Sequence, residues 1–92
     1  MSKAIEDVVN ERQRQQKVEG WDAAHDDKYV DGELASAAAC YALFADRPGF
    51  STPAHWPWGS EWWKQTNQRR DLVKAAALII AEIERVDRAL GQ

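Results

Sequence analysis

The clearest pattern of hydrophobic positions lies between residues 71 and 90. Apolar residues recur there at alternating steps of four and three, at Leu72, Ala76, Ile79, Ile83, Val86 and Leu90. This is the period of an α-helix with one apolar face, which Val73 and Ile80 widen. Gly91 follows where a left-handed C-cap is expected. We therefore predict a helix over residues 71–90 whose apolar face packs on the rest of the chain.

Two further helices are predicted upstream. Ser2 is a suitable cap for a first helix that runs to about Glu19 and is ended by Gly20. Asp31 is expected to cap a second helix. Its face of small and aromatic residues comprises Leu34, Ala37, Ala38, Tyr41, Ala42, Phe44 and Ala45. Small residues let two helix backbones approach closely, so this face is expected to meet the alanines of the last helix.

Residues 46–60 form a long connection that is neither polar nor regular. Prolines and glycines disfavour a helix there, yet the segment carries Phe50, His55, Trp56 and Trp58. A long connection of this composition usually packs as a functional loop. Ser60 or Thr66 is expected to cap the structure that follows. The predicted fold is all-α: a single domain over residues 1–92, with three helices and an ordered aromatic loop before the C-terminal helix.

Composition narrows the classes of function. A net charge of −3 argues against duplex DNA or an anionic membrane as a partner, because both favour a basic face. No apolar run is long enough to span a bilayer, and no secretory signal pattern opens the chain. The single cysteine, Cys40, fits a reducing cytosol, so a cytoplasmic location is expected. Four of the five tryptophans fall between residues 56 and 63.

Tryptophans beside cationic side chains are the main candidate for chemistry. An indole that stacks on a nucleobase contributes roughly 1–3 kcal/mol, and guanidinium groups bind phosphate oxygens. Trp62 and Trp63 are adjacent and point in different directions, so they cannot both fill one core. Arg69 and Arg70 lie at the start of the last helix, where free N–H groups favour an anion. The alternative is that both arginines pair with Asp26, Asp27 or Asp71.

Arg12 is the other unusual cation, because it continues the apolar stripe of the first helix. Its guanidinium needs either a buried carboxylate or an anionic ligand. The predicted ligand-binding residues are stacking rings, phosphate-binding cations and groups for ribose or base edges: Trp21, Trp58, Trp62 and Trp63; Arg12, Lys64, Arg69 and Arg70; and His25, Asp26 and Tyr41. Trp21 also has a structural interpretation, as an anchor on the core.

The sequence matches catalytic motifs only in part. His25-Asp26-Asp27 lacks the rest of a metal-ligand set, so neither a metal nor a cofactor is predicted. Glu84 to Asp87 fits the ExxD motif of the all-α nucleoside-triphosphate pyrophosphatases, but their earlier ExxE is missing, with Glu19 and Asp22 the nearest match. No serine or cysteine sits in a nucleophile elbow. These observations favour a non-catalytic binding protein.

Nearly the whole chain resembles a family of small proteins of tailed phages and prophages. The motifs are Glu11-Arg12, Glu19-Gly20-Trp21, His25-Asp26-Asp27, Gly32-Glu33-Leu34-Ala35, Trp56-Pro57-Trp58, Trp62-Trp63-Lys64 and Arg69-Arg70-Asp71-Leu72-Val73-Lys74-Ala75. A more distant resemblance is to the ryanodine-receptor repeat (RyR domain), through Glu19-Gly20-Trp21, Asp26-Asp27-Lys28 and Leu90-Gly91. That repeat carries a proline-containing segment with a tyrosine where this chain has the Trp56-Pro57-Trp58 insert. The second resemblance implies a small helical domain that senses nucleotide-derived signals.

The sequence therefore predicts non-catalytic binding of a nucleotide or a nucleotide-derived signal. In a phage protein this would sequester a host immune signal, which is an anti-defence role. One alternative is a module that docks a host protein through its tryptophan-rich loop. A third is a small nucleotide pyrophosphohydrolase that uses Glu84 or Asp87. The oligomeric state is left open, and a homo-oligomer would bury some of the aromatic residues.

Overall fold

The computed structural model describes residues 1–49 and 51–91, and within them it contains helices and no strand. Four α-helices are present, α1 (Lys3–Lys17), α2 (Ala23–Asp26), α3 (Glu33–Phe44) and α4 (Gln68–Ala89), with a 3₁₀ turn at Ser60–Trp62. The all-α prediction is confirmed, and the three long helices lie where they were expected. Phe50, predicted as part of the aromatic loop, lies outside the described residues.

The ends of the helices follow local hydrogen bonding, and two of the predicted caps were wrong. Ser2 Oγ accepts from the Ile5 amide at 3.2 Å, as predicted. The α3 helix begins after Gly32, which has a φ of 82°, instead of after a capping Asp31. The α4 helix is capped by Asn67, whose side chain accepts from the Arg70 amide at 2.9 Å, instead of by Ser60 or Thr66.

The core lies where α4 packs against α3, and α1 covers a second side of α4. It consists mainly of small residues with a few large ones: Leu34, Ala37, Ala38, Cys40, Tyr41, Trp56, Ala75, Leu78 and Ala81. The expected close approach between the alanine faces of α3 and α4 is therefore present. Trp56 brings the aromatic loop into this core, and its Nε1 donates to the Gly59 carbonyl at 3.1 Å.

The predicted orientation of α4 was wrong, although the helix itself is confirmed. The large aliphatic side chains of the predicted core stripe, Leu72, Ile79, Ile83, Val86 and Leu90, are between 37% and 68% exposed. The buried positions of α4 are instead Asp71, Val73, Ala75, Ala77, Leu78 and Ala81. The helix has two apolar faces, and the small-residue face is the one that fits closely against the alanines of α3. Among the described residues, no helix is both long and apolar enough to cross a bilayer.

Candidate functional site

A cavity of about 480 Å³ lies between the four helices and the aromatic loop. Its lining combines charged groups of both signs with six tryptophan and tyrosine rings, those of Trp21, Tyr29, Tyr41, Trp56, Trp58 and Trp62. Six of the predicted site residues line it, namely Trp21, His25, Tyr41, Trp58, Trp62 and Lys64. The volume falls in the range typical of small-molecule sites, roughly 300–1,000 Å³.

One wall of the cavity is a continuous series of ring contacts. The Trp21 and His25 rings are stacked, with centroids 5.9 Å apart. His25 meets the edge of Tyr29 at 5.2 Å, and Tyr29 lies 5.3 Å from Trp58. Trp62 lies at the rim with 51% of its surface exposed. A flat, partly accessible aromatic surface of this kind suits a planar ring as its ligand.

The free cations of the cavity are lysines. Lys28 Nζ lies 5.3 Å from the centre of the Tyr29 ring, and Lys64 Nζ lies 5.4 Å from that of Trp62. Over residues 1–49 and 51–91, neither ammonium group has a carboxylate within ion-pair distance. Both side chains are exposed. They therefore offer positive charge at the solvent side of the aromatic wall.

A third lysine, Lys74, lies deeper. Its Nζ donates to the Lys64 carbonyl at 2.8 Å and lies 3.7 Å from Asp71 Oδ1. Burial lowers the pKa of Lys74, and the negative charge of Asp71 opposes that shift. This ammonium group already has protein partners. We therefore assign it a structural role in the cavity wall and not the role of an anion site.

The opposite wall is acidic but internally paired. Glu11 accepts two hydrogen bonds from Arg14, at 2.8 and 3.0 Å, and one from the Gln15 amide at 3.1 Å. Arg14 also donates to Glu19 at 2.9 Å. Burial alone would raise the pKa of Glu11, but the hydrogen bonds and charges of Arg14 and Arg70 outweigh it, so the pKa is lowered.

Two buried polar atoms of the lining residues have no hydrogen-bond partner within the described part of the chain. They are the amide oxygen of Gln15 and the indole Nε1 of Trp58. Buried polar groups are nearly always paired, and an unpaired one beside a cavity is a position where a ligand would supply the missing partner. The first is an acceptor and the second is a donor.

The ring of His25 is held in place by a neighbouring carboxylate, that of Asp26. Its Nδ1 lies 2.9 Å from Asp26 Oδ1, while Asp26 Oδ2 accepts from Arg12 at 2.9 Å. With Nδ1 as the donor of the neutral ring, Nε2 is an acceptor. Asp27 is instead engaged by Arg88 at 2.7 Å. Within the described residues, no group of three or more His, Cys, Asp and Glu side chains could hold a metal ion.

Five predicted site residues do not line the cavity: Arg12, Asp26, Trp63, Arg69 and Arg70. Arg12 bonds Asp26 and Glu84, so the carboxylate alternative is the one observed. Arg69 pairs with Asp7 at 2.8 Å, and Arg70 pairs with Glu11. A phosphate-binding role for these three arginines is therefore not supported, because carboxylates already occupy them.

Trp63 packs inside, with its ring centroid 4.7 Å from that of Tyr41 and 5.0 Å from that of Trp56. Four further lining residues were not predicted from the sequence: Gln15, Lys28, Tyr29 and Lys74. A signal for Lys28 and Tyr29 existed, since both follow the acidic turn directly. Gln15 lies one turn after Glu11, but its burial depends on the packing of α1 against α4 and could not be read from the sequence.

Fold and site together define a small all-α domain that carries an aromatic cavity with exposed lysines at its rim. Comparison with protein-family models, with curated proteins and with solved structures finds no match for this chain.

Proposed function

We propose that this protein binds a nucleotide or a nucleotide-derived compound without transforming it. The observation that carries the proposal is the cavity of about 480 Å³, in which an aromatic wall meets two lysines that have no carboxylate partner among the described residues. A planar base or nicotinamide-like ring would lie against the indoles. Its phosphate would lie at the rim, beside Lys28 and Lys64.

The polar groups of the lining would then set which ring is accepted. Gln15 offers an acceptor and Trp58 a donor, neither of which has a partner in the part of the chain that the structure describes. His25, held by Asp26, offers an acceptor at Nε2. A heteroaromatic ring with both N–H donors and ring-nitrogen or carbonyl acceptors would satisfy these groups, whereas a purely hydrocarbon ring would leave them unpaired.

The biological role that we propose is sequestration of a host immune nucleotide signal in the cytoplasm. It rests on the resemblance to small phage proteins and to the ryanodine-receptor repeat, together with the cavity. The proposal does not extend to hydrolysis, because the motif behind that alternative lacks its earlier ExxE and one of its two carboxylates, Glu84, is held by Arg12 at 3.0 Å.

The test is titration of the purified protein with ADP-ribose, cyclic ADP-ribose and cyclic dinucleotides, monitored by tryptophan fluorescence and melting temperature. At least one probe is expected to change the fluorescence and raise the melting temperature, because a ligand of the folded state stabilises it. If none of the probes gives a response, the proposal is wrong. A pull-down that yields one stoichiometric host protein, with no nucleotide effect, would favour the docking alternative.

Matched variants then locate the binding site. Trp62→Ala should weaken binding by about 1–3 kcal/mol, since one stacking surface is removed. Leu43→Ala is the control, because Leu43 is also exposed but does not line the cavity. Lys64→Gln should weaken a phosphorylated probe more than its nucleoside, whereas Lys17→Gln, on the exposed end of α1, should affect neither. Equal effects of Trp62→Ala and Leu43→Ala would contradict binding in this cavity.

A further inference from the structure

The outer face of α4 carries an apolar seam, which we define as Leu72, Ala76, Ile79, Ile83, Val86 and Leu90. Its residues are separated by four, three, four, three and four positions, which is a strict heptad repeat. No charged side chain interrupts it, and its five large members are the exposed residues described above. Within the subunit, the opposite side of α4 makes the core. The helix is therefore apolar on both sides, as helices enclosed by an assembly are.

A shallow groove runs beside the apolar seam. It is lined by Ala35, Ala38, Ala39 and Ala42 of α3 and by Leu72, Ala75, Ala76 and Ile79 of α4. A ridge of large aliphatic side chains thus lies next to a strip of small ones on the same surface. The small residues beside the ridge leave room for the α4 helix of a second copy to approach closely.

We propose that this face is the interface of an antiparallel homodimer. The spacing of the apolar seam reads the same in both directions along α4, with its midpoint at the level of Ala81. Antiparallel pairing therefore sets Leu72 against the partner's Leu90, and Ile79 against the partner's Ile83. Ala76 meets the partner's Val86, a small residue against a larger one. Antiparallel pairing also opposes the two helix dipoles favourably.

The size of the face is at the lower limit for a specific dimer. From standard helix dimensions, the 22 residues of α4 and the 12 residues of α3 present strips roughly 33 Å and 18 Å long and about 10 Å wide, or about 500 Å² on each copy. Two such faces give about 1,000 Å² in total, the smallest area expected of a specific interface. The absence of charge from the apolar seam gives an acidic or basic partner nothing to recognise, whereas a second copy matches its pattern position by position.

The apolar seam is separate from the aromatic cavity, since none of its six residues is among those that line the cavity. Dimer formation would leave both cavities open to solvent. The outcome of a dimerisation experiment therefore does not depend on whether the cavity binds a nucleotide.

Sedimentation equilibrium at micromolar concentrations tests the interface. The wild-type chain should have twice the 10.4 kDa mass of one copy. Ile83→Asp should raise the dissociation constant of the dimer by about a hundredfold or more, because two unpaired carboxylates would be buried. Ile83 is 53% exposed within the subunit, so the helical circular dichroism should be retained. Val30→Asp is the control, because Val30 is 64% exposed and lies outside the apolar seam.

Two further variants test the orientation. Ile79→Glu and Ile83→Lys should each be monomeric alone, and mixing them should restore a dimer, because the antiparallel arrangement sets position 79 against position 83 of the other copy. The proposal would be overturned by a monomeric wild-type chain, or by an Ile83→Asp variant that dimerises like Val30→Asp. A mixture that stays monomeric while the wild type dimerises would overturn the antiparallel orientation.

Discussion

A guanidinium on the apolar side of a helix needs a hydrogen-bonding partner, and the partners of Arg12 are other groups of the same chain. The side chain is 5% exposed and uses three of its nitrogens. Nε donates to Glu84 at 3.0 Å, one terminal nitrogen to Asp26 at 2.9 Å, and the other to the Trp21 carbonyl at 3.3 Å. Arg12 thereby joins α1, α2 and α4, which is a structural role and not a ligand-binding one.

Loss of this guanidinium should lower the stability of the fold. Arg12→Met should lower the free energy of unfolding by about 3 kcal/mol, because it leaves the buried Asp26 carboxylate without its cation. The double variant Arg12→Met with Asp26→Leu should recover part of that loss, since no unpaired charge remains buried. Urea denaturation measures both values. A double variant that is less stable than Arg12→Met would contradict this explanation.

At the scale of elements, α4 shows what hydrophobic periodicity can predict and what it cannot. The pattern predicted the helix correctly and chose the wrong face, because both faces are apolar. Large side chains mark the outer face, but Ala75 and Ala81 share the core cluster with the alanines of α3. The start of the helix is capped by the side chain of Asn67, which accepts from the Arg70 amide.

The capping role of Asn67 can be tested directly. Asn67→Ala should lower the free energy of unfolding by about 1 kcal/mol, because one N–H group in the first turn of α4 loses its acceptor. Ser60→Ala is the control, and it should have little effect, since Ser60 lies in the 3₁₀ turn and does not cap α4. Thermal unfolding followed by circular dichroism measures both variants. Equal losses of stability would show that Asn67 is not the cap.

At the scale of the whole molecule, polar and charged side chains occupy part of the interior. The charged Glu11, Arg12, Asp26 and Asp71 and the amide Gln15 are all buried. Glu11 joins α1 to α4 through Arg70. Since the large aliphatic residues of α4 face outward, these polar contacts hold the helices together at positions where a larger domain would have apolar packing.

Stability should consequently fall in acid. The pKa of Glu11 is lowered in the folded state from its ordinary 4.5, so its carboxylate stabilises the fold above that pH. The contribution is lost as the pH falls through the folded-state pKa, because the folded protein then binds the proton less readily than the unfolded chain does.

Melting temperatures at about pH 7 and about pH 3 measure this loss. Glu11→Gln should melt at a lower temperature than the wild type at the higher pH, and its further decrease in acid should be smaller. A decrease of the same size in both proteins would show that Glu11 does not contribute to the acid sensitivity.

The sequence by itself determined the three long helices and part of the site, but not the short α2 helix, which was expected as a turn. Local signals were sufficient for the long helices: the period of the apolar residues for α4, the side chain of Ser2 for the start of α1, and Gly20 for the turn after α1. The cluster of tryptophans likewise predicted an aromatic surface, and Trp21, Trp58 and Trp62 do line one cavity. These features depend on residue type and on neighbours a few positions away.

The tertiary structure alone decided which charges stay free. Arg69 and Arg70 find their carboxylates on α1, more than fifty positions away in the chain, at Asp7 and Glu11. No local pattern encodes those pairs, because they depend on how α1 crosses α4. The same crossing buries Gln15 and leaves Lys28 and Lys64 without carboxylate partners in the described chain. Sequence supplied the cations and the rings, and packing selected which of them reach the cavity.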